Sequence, residues 1–160
     1  MSDLRIVTTV CTGNLCRSAI AQTLLAKHLD AKGITDVVVQ SAGTAARDGQ
    51  PTIEAARRAA AAVGGDLDNH RTTNLDRAIV DESLYLLCAA SEHRDEILER
   101  WPDVDPDKVR LFAEAIADDA PEDIEDPYGF DQAMFHLIAR VIDASMEAWA
   151  DKLVRSPWKD

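Results

Sequence analysis

The sequence predicts an α/β fold, a small parallel sheet with helices covering both of its faces. Three observations predict it. Short β-branched or apolar runs alternate with segments of helical periodicity along the whole chain. Four such runs are long enough to be strands and too short to be helices. The 160 residues, 46% of them hydrophobic, match one compact domain over residues 1–160 with a buried core.

Ile6 to Val10 reads as the first strand, because β-branched side chains suit a pleated surface, and the turn-like Thr12-Gly13-Asn14 ends it. From Ser18 the spacing becomes helical through Ala19, Ile20, Thr23, Leu24, Lys27 and His28, with Gly33 as the stop. Val37-Val38-Val39 is the second strand, closed by Ser41-Ala42-Gly43-Thr44. An alanine-rich helix follows from Pro51 to Val63, with proline at its start and Gly64-Gly65 at its end. Leu84 to Cys88 is the third strand, and Ser91 is expected to cap a helix running to Arg100. Lys108 to Phe112 is a short fourth strand. Asp131 to Val154 reads as a long amphipathic helix whose apolar side carries Met134, Leu137, Ile138, Val141, Ile142, Met146, Trp149 and Leu153.

Charge and cysteine content exclude several classes. With 29 acidic against 17 basic residues and a net charge of −12, the chain repels polyanions, so nucleic acid is not an expected partner. No stretch approaches the length of a membrane span, and the apolar run after Met1-Ser2-Asp3 is too short for a signal peptide, so a cytoplasmic protein without a membrane partner is expected. Three cysteines, Cys11, Cys16 and Cys88, have the wrong parity for a disulfide scaffold and suit a reducing compartment. The acidic run from Asp118 to Asp126 reads, on composition alone, as a solvated loop.

The chemistry concentrates in Cys11-Thr12-Gly13-Asn14-Leu15-Cys16-Arg17-Ser18, a corner between the first strand and the first helix. Open α/β sheets bind ligands at that edge. A loop wrapping onto a helix N-terminus points backbone N–H groups at an anion such as phosphate. The same field and a nearby guanidinium lower a thiol from its free pKa of roughly 8.5, so Cys11 is expected to react as a thiolate. Arg17 offers planar bidentate donors to the equatorial oxygens of a phosphoryl group, and Ser18 a hydroxyl to the sulfur. A lone cysteine at a strand end is ordinarily a small buried hydrophobe. Cysteine, five residues, arginine and serine at a strand-to-helix corner form a far more specific pattern.

A departing phenolate needs a proton donor. Asp105-Pro106 and Asp126-Pro127 compete for that part, and Asp-Pro pairs are also common turn formers. Asp105 precedes the fourth strand and falls at the wrong edge of a parallel sheet. Asp126 follows that strand, so topology selects Asp126. No dense cluster of histidines and acids suggests a metal, and no cofactor is expected.

The chain resembles the low-molecular-weight protein tyrosine phosphatase family on four features: the CTGN-x-CRS loop from Cys11 to Ser18, the SAGT segment, a mid-chain histidine, and Asp126-Pro127-Tyr128-Gly129. The resemblance implies a four-stranded parallel sheet in a three-layer, phosphotyrosine phosphatase I-like fold, and metal-independent hydrolysis of phosphotyrosine through a phosphocysteine. It implies Asp126 as general acid, Tyr128 as a wall for the substrate ring, and Asn14, Ser18, Ser41 and His70 as a network holding the loop. It further implies a protective disulfide between Cys11 and Cys16 under oxidation. Phosphate or another oxyanion is the expected occupant of the loop. A phosphotyrosine protein, such as a bacterial tyrosine kinase, is the expected partner.

Two departures bear on substrate. Ala45-Ala46-Arg47-Asp48-Gly49-Gln50 lacks the large aromatic many members carry after SAGT. Leu15 stands where members acting on phosphoarginine tend to have threonine, which favours an aryl phosphoester. The main rival is an arsenate reductase on the same fold. Cys88 lies where one resolving thiol would be, but Asp95 stands near the place of the second, so an external thiol would be required. A non-catalytic phosphate-binding module would usually lose the nucleophile or the acid, and a zinc site would need a cysteine partner for Cys88 that the sequence lacks.

Overall fold

The computed structural model describes residues 4–116 and 122–154. The strands are β1 (Arg5–Cys11), β2 (Val37–Gly43), β3 (Tyr85–Cys88) and β4 (Val109–Leu111). They form one parallel sheet in the order β2-β1-β3-β4. The helices are α1 (Arg17–Ala31), α2 (Glu54–Ala62), α3 (Arg77–Glu82), α4 (Ser91–Arg100) and α5 (Gln132–Val154), with 3-10 turns at Pro106–Lys108 and Phe112–Ala115.

Alternation along the strands splits the core in two. Val7, Cys11 and Leu87 face α1, α2 and α5, where Ile20, Leu24, Ala59, Phe135, Ile142 and Trp149 complete one cluster. Val10, Leu86 and Cys88 face the other way, onto Val80 of α3 and Ile97 of α4. The two threonines of β1 are fully buried, and each hydroxyl is satisfied. Thr8 Oγ1 meets Ser83 Oγ at 2.7 Å, and Thr9 Oγ1 donates to the Ser18 carbonyl at 2.8 Å.

Three expectations change. α3 was not expected, because six residues carry too little periodicity to register; Asp76 caps it by accepting from the Ile79 amide at 2.9 Å. Ser91 is the first helical residue of α4 rather than its cap, and Ala90 holds the cap position. On α5 the buried stripe runs through Phe135, Ile138, Ala139, Ile142, Met146, Trp149 and Leu153, whereas Leu137 and Val141 are exposed. Phe135 lies one helical turn from Ile138 and Ala139, so the true stripe is rotated from the expected one. Residues 118–121 of the acidic run lie outside the described residues. Among the described residues, no helix is long and apolar enough to cross a membrane.

Candidate active site

β1 lies between β2 and β3, so the chain leaves it toward one side of the sheet and later returns on the other. Cys11, its last residue, therefore stands at the point where an open α/β sheet opens a crevice. A pocket of about 200 Å³ is there, lined by Cys11, Thr12, Gly13, Leu15, Cys16, Arg17, Asp126 and Tyr128. α1 begins at Arg17 behind it, and the first amides of a helix have no partners within the helix.

The loop between strand and helix is held from three sides. The Thr44 and Ala45 amides donate to the carbonyls of Cys11 and Thr12, both at 2.9 Å. This close approach requires Gly43: a Cβ there would overlap the Thr12 carbonyl oxygen and stand 2.9 Å from the Asn14 nitrogen. The Thr52 hydroxyl donates to the Leu15 carbonyl. His70 Nε2 lies 2.8 Å from the Asn14 carbonyl, which can only accept, so Nε2 carries a proton. Burial pushes the His70 pKa down, in keeping with a neutral ring.

Asn14 sits at the centre of the loop with φ of 59°, in the left-handed region that asparagine tolerates better than most residues. Its side chain is completely buried and its polarity is fixed. The Thr73 amide donates to Oδ1 at 2.9 Å, so Nδ2 must face Ser18 Oγ at 2.8 Å and Ser41 Oγ at 3.0 Å. Both hydroxyls accept from the amide and are left to donate onward. Ser41 donates to Gln22 Oε1, and Ser18 donates to Cys11 Sγ at 2.9 Å. A chain of five side chains thus ends with a proton aimed at the sulfur.

Arg17 is 4% exposed, and its Nη1 donates to the Ile124 carbonyl at 2.9 Å. Its Nη2 is 3.6 Å from Asp126 Oδ2. The Ile124 amide in turn donates to the Ala89 carbonyl just beyond β3 at 2.8 Å, pinning the acid-bearing segment to the active edge of the sheet. Asp126 is exposed, and its Oδ1 accepts from the Tyr128 amide at 3.1 Å. Tyr128 is 61% exposed at the pocket rim. Asp105, the competing aspartate, caps the turn ahead of β4 by accepting from the Asp107 amide.

Each sequence-predicted residue around Cys11 is therefore brought to this site or to its supporting network. Cys16 is buried, and its thiol is pushed up to about 12, first by burial and then by the neighbouring Cys11. Cys88, at the end of β3, is fully buried, and burial pushes its thiol up strongly.

A profile of the family "Low molecular weight phosphotyrosine protein phosphatase" matches residues 6–157. The chain belongs to this family. The low molecular weight protein-tyrosine-phosphatase Etp of Escherichia coli K12 is 31% identical over 146 residues, 91% of this chain and 93% of that protein. A protein-arginine-phosphatase of Geobacillus stearothermophilus is 30% identical over 144 residues, 90% of this chain and 93% of that protein. The tyrosine phosphatase Wzb of Escherichia coli K30, solved in complex with sulphate, superposes with a TM-score of 0.83 at 28% identity, covering 94% of this chain and 99% of that one. The Wzb superposition shows that the four-stranded parallel sheet and its helices are shared with that structure, and the family is one of enzymes.

The sequence reading missed several residues that shape the phosphatase loop. Gln22, Thr52 and Thr73 hold it, and His93 of α4 reaches Thr12. His93 is 81 residues from Thr12 in sequence, so no spacing pattern could reveal it. The one available signal is a histidine in the first turn of the helix after β3, at the edge where the site forms.

Proposed function

We propose that the chain is a single-domain cytoplasmic phosphatase that hydrolyses aryl phosphomonoesters, above all phosphotyrosine on proteins, through a phosphocysteine. The observation that carries this reading is the Cys11 sulfur, 2.9 Å from the Ser18 hydroxyl, sharing one pocket with the Arg17 guanidinium and the Asp126 carboxyl.

The Cys11 thiolate attacks phosphorus in line with the ester oxygen. Loop amides and Arg17 hold the three non-bridging oxygens where negative charge builds up. The P–O bond breaks as Asp126 gives its proton to the departing phenolate. Water then attacks the phosphocysteine and Asp126 takes its proton. The P–S bond breaks, inorganic phosphate leaves, and the sulfur returns as thiolate with the Ser18 hydroxyl donating to it. Sulphate in the Wzb structure fits an oxyanion in this loop.

Leu15 lines the pocket with an aliphatic side chain. An apolar wall suits a phenyl ring better than the charged guanidinium left by phosphoarginine. The likeness to a protein-arginine-phosphatase makes this comparison the sharpest test of substrate. Burial of Cys88 supports hydrolysis over arsenate reduction, because a resolving thiol has to be accessible as thiolate.

The experiment compares purified protein and its Cys11→Ser variant on p-nitrophenyl phosphate, a phosphotyrosine peptide and a phosphoarginine peptide, with arsenate-dependent thiol oxidation in parallel. The reading expects hydrolysis of both aryl esters and its loss in the variant. Hydrolysis that survives the substitution, or arsenate-dependent oxidation in its place, refutes the proposal. A Cys11→Ser or Asp126→Ala trap in the native cell then identifies the protein substrate, a bacterial tyrosine kinase among the candidates.

A further inference from the structure

His93 occupies the third position of α4 and is 1% exposed. Its two ring nitrogens have different partners. The Ala90 amide donates to Nδ1 at 3.1 Å, so Nδ1 is the unprotonated nitrogen. Nε2 therefore carries the ring proton, and it lies 2.9 Å from Thr12 Oγ1. Burial, together with the Arg17 charge, pushes the His93 pKa down to about 4 against the opposing pull of Asp123 and Asp126, so the ring is neutral at neutral pH.

The polarity of this contact has a consequence for Thr12. Its hydroxyl receives the Nε2 proton and is left to donate its own. Thr12 is exposed and lines the pocket immediately after Cys11, beside Arg17 and Asp126. The arrangement parallels the Asn14–Ser18 pair, in which a buried group of fixed polarity directs a hydroxyl proton at the sulfur. A helix cap alone would need only the Nδ1 contact. The second contact spans 81 residues and joins α4 to the loop that holds the nucleophile.

We propose that His93 is a positioning residue: its Nε2–H fixes the Thr12 side chain so that the Thr12 hydroxyl donates to the substrate's phosphoryl group, one donor more than the loop amides and Arg17 supply. The inference rests on the phosphatase reading and extends it.

The test is a double-mutant cycle of Thr12→Val and His93→Phe on p-nitrophenyl phosphate, with kcat and KM measured separately and His93→Gln as the conservative variant. Each single substitution should lower kcat/KM by about 10-fold to 150-fold, the effect of one hydrogen bond to a charged group. The double variant should be no slower than the slower single, because both remove the same interaction. His93→Gln, whose amide can reach the Nε2 position, should recover most of the loss. A Thr12→Val protein as fast as the parent overturns the proposal. So does a His93 effect of undiminished size on the Thr12→Val background, which would mark a purely structural role. Should His93→Phe fail to fold, the cycle is closed with His93→Gln, whose smaller effect must still vanish in the Thr12→Val background. A parent protein that does not hydrolyse the ester refutes the phosphatase reading instead, so the two failures are distinguishable.

Discussion

Replacing Asn14 by alanine tests the loop at the residue on which its geometry converges. Three hydrogen bonds of this buried side chain disappear, from Thr73 N to Oδ1 and from Nδ2 to Ser18 and Ser41. At about 1 kcal/mol each, their loss costs about 3 kcal/mol. The backbone at φ of 59° adds about 1 kcal/mol, since alanine in the left-handed region lacks the local polar contacts that favour asparagine. A loss of about 4 kcal/mol is a large share of the roughly 5–15 kcal/mol that stabilises a typical domain. Urea denaturation followed by tryptophan fluorescence measures it, because Trp149 is buried and donates to the Phe112 carbonyl at 3.0 Å. With a slope of about 2 kcal/mol per molar, the midpoint should fall by about 2 M. Asn14→Gly separates the two contributions: it keeps the hydrogen-bond loss and recovers about 1 kcal/mol of backbone strain. A midpoint shift under about 0.5 M, or a glycine variant no more stable than the alanine one, would refute the reasoning.

Other outcomes follow from the same geometry. Asp126→Asn should lower kcat on phosphotyrosine by about 10²-fold to 10³-fold, and less on p-nitrophenyl phosphate, whose leaving group needs less protonation; equal losses on both esters would remove Asp126 as the acid. Gly43→Ala should reduce thermal stability and cut activity more than tenfold, as differential scanning calorimetry and turnover will show, because the new Cβ meets backbone rather than a side chain able to move. His93 has a folded pKa of about 4, below its ordinary value, so the unfolded chain binds the extra proton first. Stability from this residue is full above pH 6.5 and should decline by about 3 kcal/mol as pH falls to about 4, a slope that urea titrations of His93→Gln should largely lack. One equivalent of hydrogen peroxide should convert Cys11 and Cys16 to a disulfide, releasing two waters, and non-reducing peptide mapping that finds no such crosslink would eliminate this switch.

Some of this protein was legible in the chain alone. The Cys11-to-Ser18 spacing between a β-branched run and a helical one placed a cysteine, an arginine and a serine at a sheet corner, because strand and helix periods are local properties of the sequence. Asp126 could be preferred to Asp105 for an equally simple reason: in a parallel sheet, segments after a strand reach the active edge and segments before it reach the other. Local pattern failed where burial is set by neighbours. Leu137 and Val141 are as apolar as Ile138 and Ile142, and only the packing of α5 on α1 and α2 decides which pair is covered.

What sequence determined, then, is the set of chemical groups and the edge of the sheet where they gather, since both follow from residue type and short-range order. Tertiary structure decided the direction of the protons. Thr73 fixes the Asn14 amide and Ala90 fixes the His93 ring, and these contacts leave the Ser18 hydroxyl to donate to Cys11 and the Thr12 hydroxyl with its own proton to donate. A hydrogen bond's polarity depends on every partner a group has, and Thr73 and His93 lie 59 and 81 residues from the loop residues they meet.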